Sequence, residues 1–367
     1  MSTNSPPGGP GGQLEQLKKP GPPYPPQGAG LGGQPTTGVD VPISAVMLAL
    51  FVASAALNMT ILQLNMRRGH KFVLSGVLFG FSMARITANV MRIVWACYPR
   101  NVRVAIAANI LTNAGVLLLF IVNLILAQRI LRAYQPRLGW CRPVRLGFRG
   151  LYAAVVACLV MVITAAVYSF YTLDADKLTK IRDVQLFAVT FLAVLAFLPV
   201  PIVALALLLP RQTTTITGGG GIGVGQPVDP FGTGSMRTKI ALVLFTTTLL
   251  ALGAGFRAGI AYIKRPADHP AWFHHKAAYY CFNYTIELIV VFTYALSRFD
   301  RRFWIPNGSC KPGDYSRGGD GSGDNNNNDK DAVEEGFRLS AEQQGQEDRE
   351  RDWEARAKAE TERGMPS

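Results

Sequence analysis

Long apolar runs alternate with short polar segments along most of this chain. Seven runs approach or exceed twenty residues: 43–64, 72–97, 104–130, 151–173, 184–209, 240–263 and 277–296. At about 1.5 Å per residue, a helix of about 20 residues crosses the hydrocarbon core of a bilayer. The pattern therefore predicts an all-α integral membrane protein, a seven-transmembrane-helix bundle over residues 43–303. Pro199 and Pro201 lie in the fifth run and predict a kink there, because each removes a backbone donor.

The segments outside this bundle have a different composition. Residues 1–42 are rich in proline and glycine and predict a disordered N-terminal tail. Residues 304–367 contain glycine- and asparagine-rich stretches and a charged segment, which predict a cytosolic, low-complexity, acidic tail. The glycine-rich stretch between the fifth and sixth runs predicts a flexible linker.

Composition supports the membrane prediction. Charged residues make up 17% of the chain and hydrophobic residues 49%, whereas soluble proteins carry about 25% charged residues. The net charge of +13 would suit nucleic acid, but the cations cluster between the apolar runs, which is typical of contact with lipid headgroups. We therefore expect the lipid bilayer as a partner and no nucleic acid. The five cysteines show neither a disulfide framework nor a zinc pattern.

The distribution of lysine and arginine predicts the orientation. Loop n is here the segment that follows the nth run. Loops 1, 3 and 5 and the segment after the seventh run hold 15 cations, against eight in loops 2, 4 and 6. Because cytosolic segments are enriched in lysine and arginine, we predict that the N-terminus is outside or lumenal and the C-terminus cytosolic. The membrane would be the plasma membrane or an endomembrane.

Charged residues inside the apolar runs are the most informative ones. Glu287 lies in the middle of the seventh run, and a carboxylate at that depth needs a partner. Arg85 lies about 21 Å above Lys71, and Glu287 about 17 Å above Arg298, at 1.5 Å per residue. The sequence therefore predicts an intramembrane ion pair between Arg85 and Glu287.

The remaining intramembrane polar residues predict a second feature, near the outer side. Five of them fall at similar depths in the outer half of the bundle: Arg92, Arg257, Asn109, Asn113 and Asn283. Together they would form an outward-facing cationic pocket for a small anionic or polar ligand. The alternative is structural, since buried asparagines connect helices and arginines near helix ends reach the interface.

Catalytic chemistry finds little support in the sequence. None of the four histidines lies in the middle of an apolar run, as a membrane-embedded metal hydrolase would require. His269, His274 and His275 lie together in loop 6, but no second group of ligands accompanies them. We expect no enzyme activity, no catalytic residue, no metal and no cofactor.

Three stretches resemble a known family: RIVWACYPRN, NAGVLLLFIVNLILAQRIL and AAYYCFNYTIELIVVFTYALSRFDRRFWIPNGSCKPGDY. They are similar to a fungal seven-helix membrane family known as a domain of unknown function, over about residues 45–316. The resemblance implies a multi-pass membrane protein and supplies no functional residues. Fungal lipid-translocating exporter-like resistance proteins share the layout without matching motifs, and rhodopsin-like receptors fit less well because Asn-Pro-x-x-Tyr is missing from the seventh run.

Two functions follow from these patterns. A receptor-like protein or sensor would bind a ligand in the outward pocket and contact cytosolic partners through loops 3 and 5 and the tail. A transporter or lipid translocator would use the same polar path, with Pro199 and Pro201 marking a broken helix. The sequence leaves both open.

Overall fold

The computed structural model describes residues 21–24, 30–69, 72–209, 228–263, 265, 271–306, 309 and 314–317. All regular secondary structure in these ranges is helical. The predicted tails lie largely outside them, as does the glycine-rich part of loop 5.

Thirteen α-helices are named here in chain order over the described residues. They are α1 (Asp40–Arg67), α2 (Val73–Cys97), α3 (Val102–Ala114), α4 (Leu117–Tyr134), α5 (Pro136–Gly139), α6 (Arg142–Ser169), α7 (Ala175–Phe197), α8 (Pro199–Leu208), α9 (Met236–Tyr262), α10 (Lys276–Tyr280), α11 (Ile286–Leu296), α12 (Phe299–Arg302) and α13 (Asp314–Arg317). A 3₁₀ turn (Trp272–His274) precedes α10, and a π-helical turn (Cys281–Thr285) joins α10 to α11.

Six helical segments of the described chain are long and apolar enough to cross a membrane. They are Asp40–Arg67, Val73–Cys97, Val102–Tyr134, Arg142–Ser169, Ala175–Leu208 and Met236–Tyr262. Large apolar side chains on their outer surfaces are exposed, among them Val46, Val156, Val160, Phe187 and Val194. An apolar outer surface of this extent is stable against lipid and not against water. The chain is therefore an integral, multi-pass membrane protein.

Several helices extend beyond their apolar runs. The fourth was predicted from residue 151 and begins at Arg142, and the fifth was predicted from residue 184 and begins at Ala175. Polar first turns are stabilised locally, by a proline in the first turn of α6 and by the side chain of Asp174, which caps α7. Hydrophobicity marks the part of a helix inside the hydrocarbon and not its full length.

Two of the six segments are interrupted. The third predicted helix, 104–130, is divided at Gly115 and Val116 into α3 and α4. The fifth is divided at Leu198, directly before Pro199, where a proline cannot donate the helical hydrogen bond. The seventh predicted helix, 277–296, consists of α10, the π-helical turn and α11, and this interruption keeps it out of the group of six.

The helices create two ends of the bundle, which we name after the chain terminus found there. At the N-terminal end, the amide of Gly32 donates to the carbonyl of His274 (3.0 Å), and Asp40 pairs with Lys276. At the C-terminal end, Asn65 donates to Asp300 (2.9 Å), and the amide of Thr233 donates to the carbonyl of Arg301 (2.9 Å). Between these ends α4 runs through the centre, with Leu119, Leu124 and other side chains fully buried.

The boundaries of the predicted N-terminal tail need correction. The tail was predicted to reach residue 42, but Asp40 begins α1, and Leu31 packs against the hydrophobic core. Backbone hydrogen bonds hold this segment, and composition does not reveal them. Residues 1–20 and 25–29 lie outside the described ranges.

Parts of the predicted C-terminal tail and of the loop 5 linker also pack against the bundle. Trp304 packs against the core, and Tyr315 lies edge-on to Trp140, with ring centroids 5.7 Å apart. Phe231, at the end of loop 5, is 2% exposed and packs against Tyr315 (5.6 Å). Aromatic side chains thus fold both segments onto the bundle, although glycine and proline surround them in sequence.

Candidate functional site

The centre of the bundle holds an arginine–carboxylate pair between α2 and α11. Arg85 donates from Nε and Nη2 to the two carboxylate oxygens of Glu287, each at 2.5 Å. Both side chains are almost fully buried, at 0% and 1% exposed. In a bidentate pair of this kind each ion neutralises the other, which lowers the high energetic cost of burying either charge in the membrane interior.

Arg85 also connects this pair to the interruption between α3 and α4. Its Nη1 donates to the carbonyl of Thr112 (2.7 Å) and, at longer range, to that of Leu111 (3.4 Å). The last carbonyls of a helix lack intrahelical partners and carry partial negative charge, which suits a cation. Gly115 makes room, because a Cβ there would lie 3.2 Å from the guanidinium carbon of Arg85.

A second guanidinium shares Glu287. Arg257 Nη1 lies 3.7 Å from Glu287 Oε1, and it donates to Asn283 Oδ1 at 3.5 Å. The Arg257 side chain is 14% exposed, the highest value in this group. We call Arg85, Glu287 and Arg257 the central triad; two positive groups and one negative group leave one surplus positive charge.

A second cluster surrounds Asp40 at the N-terminal end. Its carboxylate accepts from Lys276 (2.5 Å), the Thr36 amide (2.8 Å), the Tyr280 hydroxyl (2.9 Å) and Arg92 Nη2 (3.0 Å). Four kinds of donor therefore stabilise one carboxylate that is fully buried. We call Asp40, Arg92 and Lys276 the Asp40 cluster.

Arg92 is enclosed on every side by protein. Its guanidinium lies 4.5 Å from the ring of Tyr279 and 5.3 Å from that of Trp95. It also donates to the carbonyls of Gly32 (3.1 Å) and Gly33 (3.4 Å). With a side chain only 3% exposed, Arg92 does not offer its charge to the exterior.

The five residues predicted to line one ligand pocket separate into three places. Arg257 and Asn283 contact each other beside the central triad, and Arg92 belongs to the Asp40 cluster. Asn113 is exposed, and its side chain donates to the carbonyl of Asn109 within the same helix (2.9 Å). The structure thus brings Arg257 and Asn283 together and places Arg92 and the exposed Asn113 elsewhere.

Sequence reasoning missed Asp40 and the network around Tyr294. Asp40 was assigned to the disordered tail, although an acidic residue directly before a long apolar run favours a helix N-terminus. Asn123 accepts from Tyr294, donates to Thr247 Oγ1 (3.1 Å) and, with Thr246, connects α4, α9 and α11. The partners of Asn123 are uncharged residues of other helices, which the sequence pattern does not distinguish from ordinary apolar-run residues.

A third buried carboxylate lies at the C-terminal end. Asp300 accepts from Asn65 (2.9 Å) and forms two hydrogen bonds of 3.2 Å with Arg298. Burial alone raises the pKa of Asp300, but the hydrogen bonds from Arg298 and Asn65 outweigh it, so the pKa lies below its ordinary value of 3.8.

Within the described ranges, no group of three or more histidine, cysteine, aspartate or glutamate side chains is placed to hold a metal ion. His274 is buried, accepts at Nδ1 from the amide of Ala271 (3.3 Å), and has a pKa lowered by that burial. His269 lies outside the described residues.

Part of the site lies in a segment that is similar to a known family. Residues 233–304 match a family described as "Protein of unknown function (DUF3112)". No curated protein and no solved structure matches the chain. The similarity expected over about residues 45–316 is thus found over its last part, and the description gives no activity, organism or number of helices. The matched segment contains Arg257, Asn283 and Glu287, whereas Arg85 and Asp40 lie outside it.

Proposed function

We propose that the protein is a receptor-like membrane sensor that binds a small anion beside Arg257. The observation that carries this proposal is the surplus positive charge of the central triad, in which Glu287 is shared by two guanidiniums. A buried charge without a counter-ion is costly in a membrane, so an anion near the more exposed guanidinium would be stabilised.

Arg257 is a better ligand residue than Arg92. The 3.7 Å separation from Glu287 is long, whereas Arg92 approaches Asp40 to 3.0 Å and also donates to two carbonyls. Arg257 lies five residues before the end of α9 at Tyr262, about 8 Å from the N-terminal end of the bundle at 1.5 Å per residue. A ligand entering from that end therefore has a short path to it.

The proposal includes a seventh crossing, formed by residues 276–296. These 21 residues measure about 30 Å as a helix, the thickness of the hydrocarbon core. They run from Lys276, which contacts Asp40 at the N-terminal end, to the turn before Asp300, which contacts Asn65 at the C-terminal end. Together with the lysine and arginine bias, a seventh crossing supports an orientation with the N-terminus outside or in the lumen and the C-terminus in the cytosol.

Protease protection of a tag at each terminus tests the topology. On intact cells or sealed vesicles, an N-terminal tag should be cleaved by external or lumenal protease, and a C-terminal tag by protease on the cytosolic side. Both tags on the same side would exclude the seventh crossing.

Binding of anions by the purified protein in lipid nanodiscs tests the ligand site. Inorganic phosphate and succinate, titrated in zwitterionic nanodiscs, should bind to the native protein and at least about tenfold more weakly to Arg257→Gln. Arg182→Gln is the matched control, because Arg182 donates to the carbonyls of Ala261 and Tyr262 at the same end of α9. Equal binding by the native protein and Arg257→Gln would contradict the proposal. If only nanodiscs with an anionic lipid show a dependence on Arg257, the anion is a lipid headgroup.

A transporter is the second candidate, favoured by the three interrupted helices. Breaks at Gly115 and Leu198 and the π-helical turn at Cys281–Thr285 divide three spans, and discontinuous helices are typical of transporter binding sites. Flux in sealed proteoliposomes decides between the two functions. Saturable entry of the same anion, lost in Arg257→Gln, would show transport, and binding without entry would support the sensor.

A further inference from the structure

We propose that the N-terminal end contains a peptide-binding site, which the chain fills with its own residues 30–35 and which accepts a separate glycine-containing peptide once they are removed. We call it the Gly32 seat, formed by Arg92, Tyr279 and His274. This proposal is independent of the anion site, because it uses Arg92 and not Arg257.

The seat recognises the backbone of its occupant. Arg92 donates to the carbonyls of Gly32 and Gly33, and the carbonyl of His274 accepts from the amide of Gly32 (3.0 Å). These hydrogen bonds involve only main-chain atoms of the occupant, so a separate peptide with the same backbone conformation can make them, as in other modes of peptide recognition through main-chain hydrogen bonds.

A glycine is required at the centre of the occupant for two reasons. Gly32 has φ of +78°, a conformation that side chains disfavour. A Cβ at this position would also lie 2.6 Å from the ring of Tyr279, whereas a Cβ on Gly30 would meet nothing within 4 Å. The two glycines therefore form a matched pair in which one is needed and the other is not.

The seat does not depend on its occupant for charge balance. Arg92 is paired with Asp40 of α1 and flanked by Trp95 and Tyr279. When residues 30–35 leave, Arg92 keeps its counter-ion and loses only two carbonyl acceptors, which a new peptide can supply.

The occupant has a natural boundary at Thr36. The Thr36 amide donates to Asp40, its hydroxyl accepts from Lys276 (2.5 Å), and its carbonyl accepts from the Asp40 amide (2.9 Å). Thr36 is thus anchored to the Asp40 cluster, and removal of the residues before it leaves the ion pairs of Asp40 with Arg92 and Lys276 in place.

Peptide titration of a truncated protein tests the proposal. A variant without residues 1–35, in nanodiscs, is titrated by calorimetry with the capped peptide of residues 30–35, Gly-Leu-Gly-Gly-Gln-Pro. Because a short tether supplies an effective concentration of about a millimolar, the titration reaches the millimolar range. We expect binding to the truncated protein and at least about tenfold weaker binding to the full chain, whose seat is filled.

The glycine pair makes the test specific. The peptide with Gly30→Ala should bind as the native peptide does, and the peptide with Gly32→Ala at least about tenfold more weakly. Equal binding by the native and Gly32→Ala peptides, or no binding of the native peptide, would overturn the proposal.

If the truncated protein does not fold, a full-length variant provides a second test. Gly32→Ala in the intact chain should vacate the seat and allow the native peptide to bind, whereas Gly30→Ala should leave the seat filled. If the folded full-length Gly32→Ala protein binds no peptide, the seat is not exchangeable and the proposal is wrong.

Discussion

The central triad and the Asp40 cluster each combine one buried carboxylate with two cations, yet they stabilise it in different ways. Glu287 accepts its two 2.5 Å bonds from one guanidinium, and its other cation stays at 3.7 Å. Asp40 accepts from four groups of different chemistry, including a backbone amide and a phenol. The triad thus depends on a single pair, whereas the Asp40 cluster distributes its charge over many donors.

The difference follows from where each cluster lies. Inside the bundle the backbone amides are used by helices, so a carboxylate there has only side chains as partners. At the N-terminal end the first turn of α1 and the chain before it offer free amides. Loss of one partner should therefore be severe in the triad and moderate in the Asp40 cluster.

The largest effect is expected from breaking the Arg85–Glu287 pair. Glu287→Gln leaves two guanidiniums without a counter-ion and should lower the free energy of unfolding by about 3–5 kcal/mol. Arg85→Leu should cost a similar amount, and the double variant should recover part of it, because both ions are then removed. Denaturant unfolding in detergent measures all three. Strictly additive losses would mean that the pair contributes no coupling energy.

A smaller loss is expected for Asp40→Asn. The amide keeps the volume and some hydrogen bonds, Arg92 keeps its carbonyl acceptors, and Lys276 is 23% exposed and can be solvated. We expect a cost of about 1–3 kcal/mol in the same assay. A loss as large as that of Glu287→Gln would remove the distinction between the clusters.

These two clusters also show what the sequence can reveal. Arg85 and Glu287 stand out because charges are rare in apolar runs, and helical rise alone gives them similar depths. Asp40 stands in a proline- and glycine-rich region, and its partners Lys276 and Tyr280 are about 240 residues away in sequence. Hydrophobic patterns carry no information on such pairs.

The helices could be predicted because hydrophobic runs mark them in the sequence. Their interruptions could be predicted only in part. Pro199 marks a break by its own chemistry. Gly115 does not, since one glycine in an apolar run is tolerated, and the break there involves Arg85 from another helix. The folded parts of loop 5 and of the C-terminal tail were missed because Phe231 and Tyr315 are single aromatic residues among glycines and prolines.

At the C-terminal end, the buried carboxylate of Asp300 should make the stability of the folded protein decrease in acid. Its folded pKa lies below 3.8, so its contribution to stability is complete above that value and is lost as the pH falls through the lower, folded pKa. Thermal unfolding followed from neutral pH to below pH 3.8 should show a steeper acid decline for the native protein than for Asp300→Asn. Parallel curves would show that Asp300 titrates alike in the folded and unfolded chains.

The smallest effect is expected for Lys276→Ala. Its ammonium group is partly exposed, and Asp40 retains Arg92, Thr36 and Tyr280 as donors. The cost should stay below about 1 kcal/mol and decrease further in high salt. A larger, salt-independent loss would show that the lysine, and not the set of donors, sustains the cluster.

The hydrogen bond from Thr233 to Arg301 has a consequence for how the protein is made. It joins the two ends of the segment that matches the family, residues 233–304, so that α9 on one side and α10 and α11 on the other form a hairpin whose ends are in contact. This hairpin is synthesised after Arg85, and it contains both Arg257 and Glu287, whose nearest side-chain atoms lie 3.7 Å apart. We expect the two opposite charges to enter the bilayer together, which lowers the cost of inserting either one. Because Arg85 precedes this segment in the chain, its bidentate pair with Glu287 can form only after the hairpin has been synthesised.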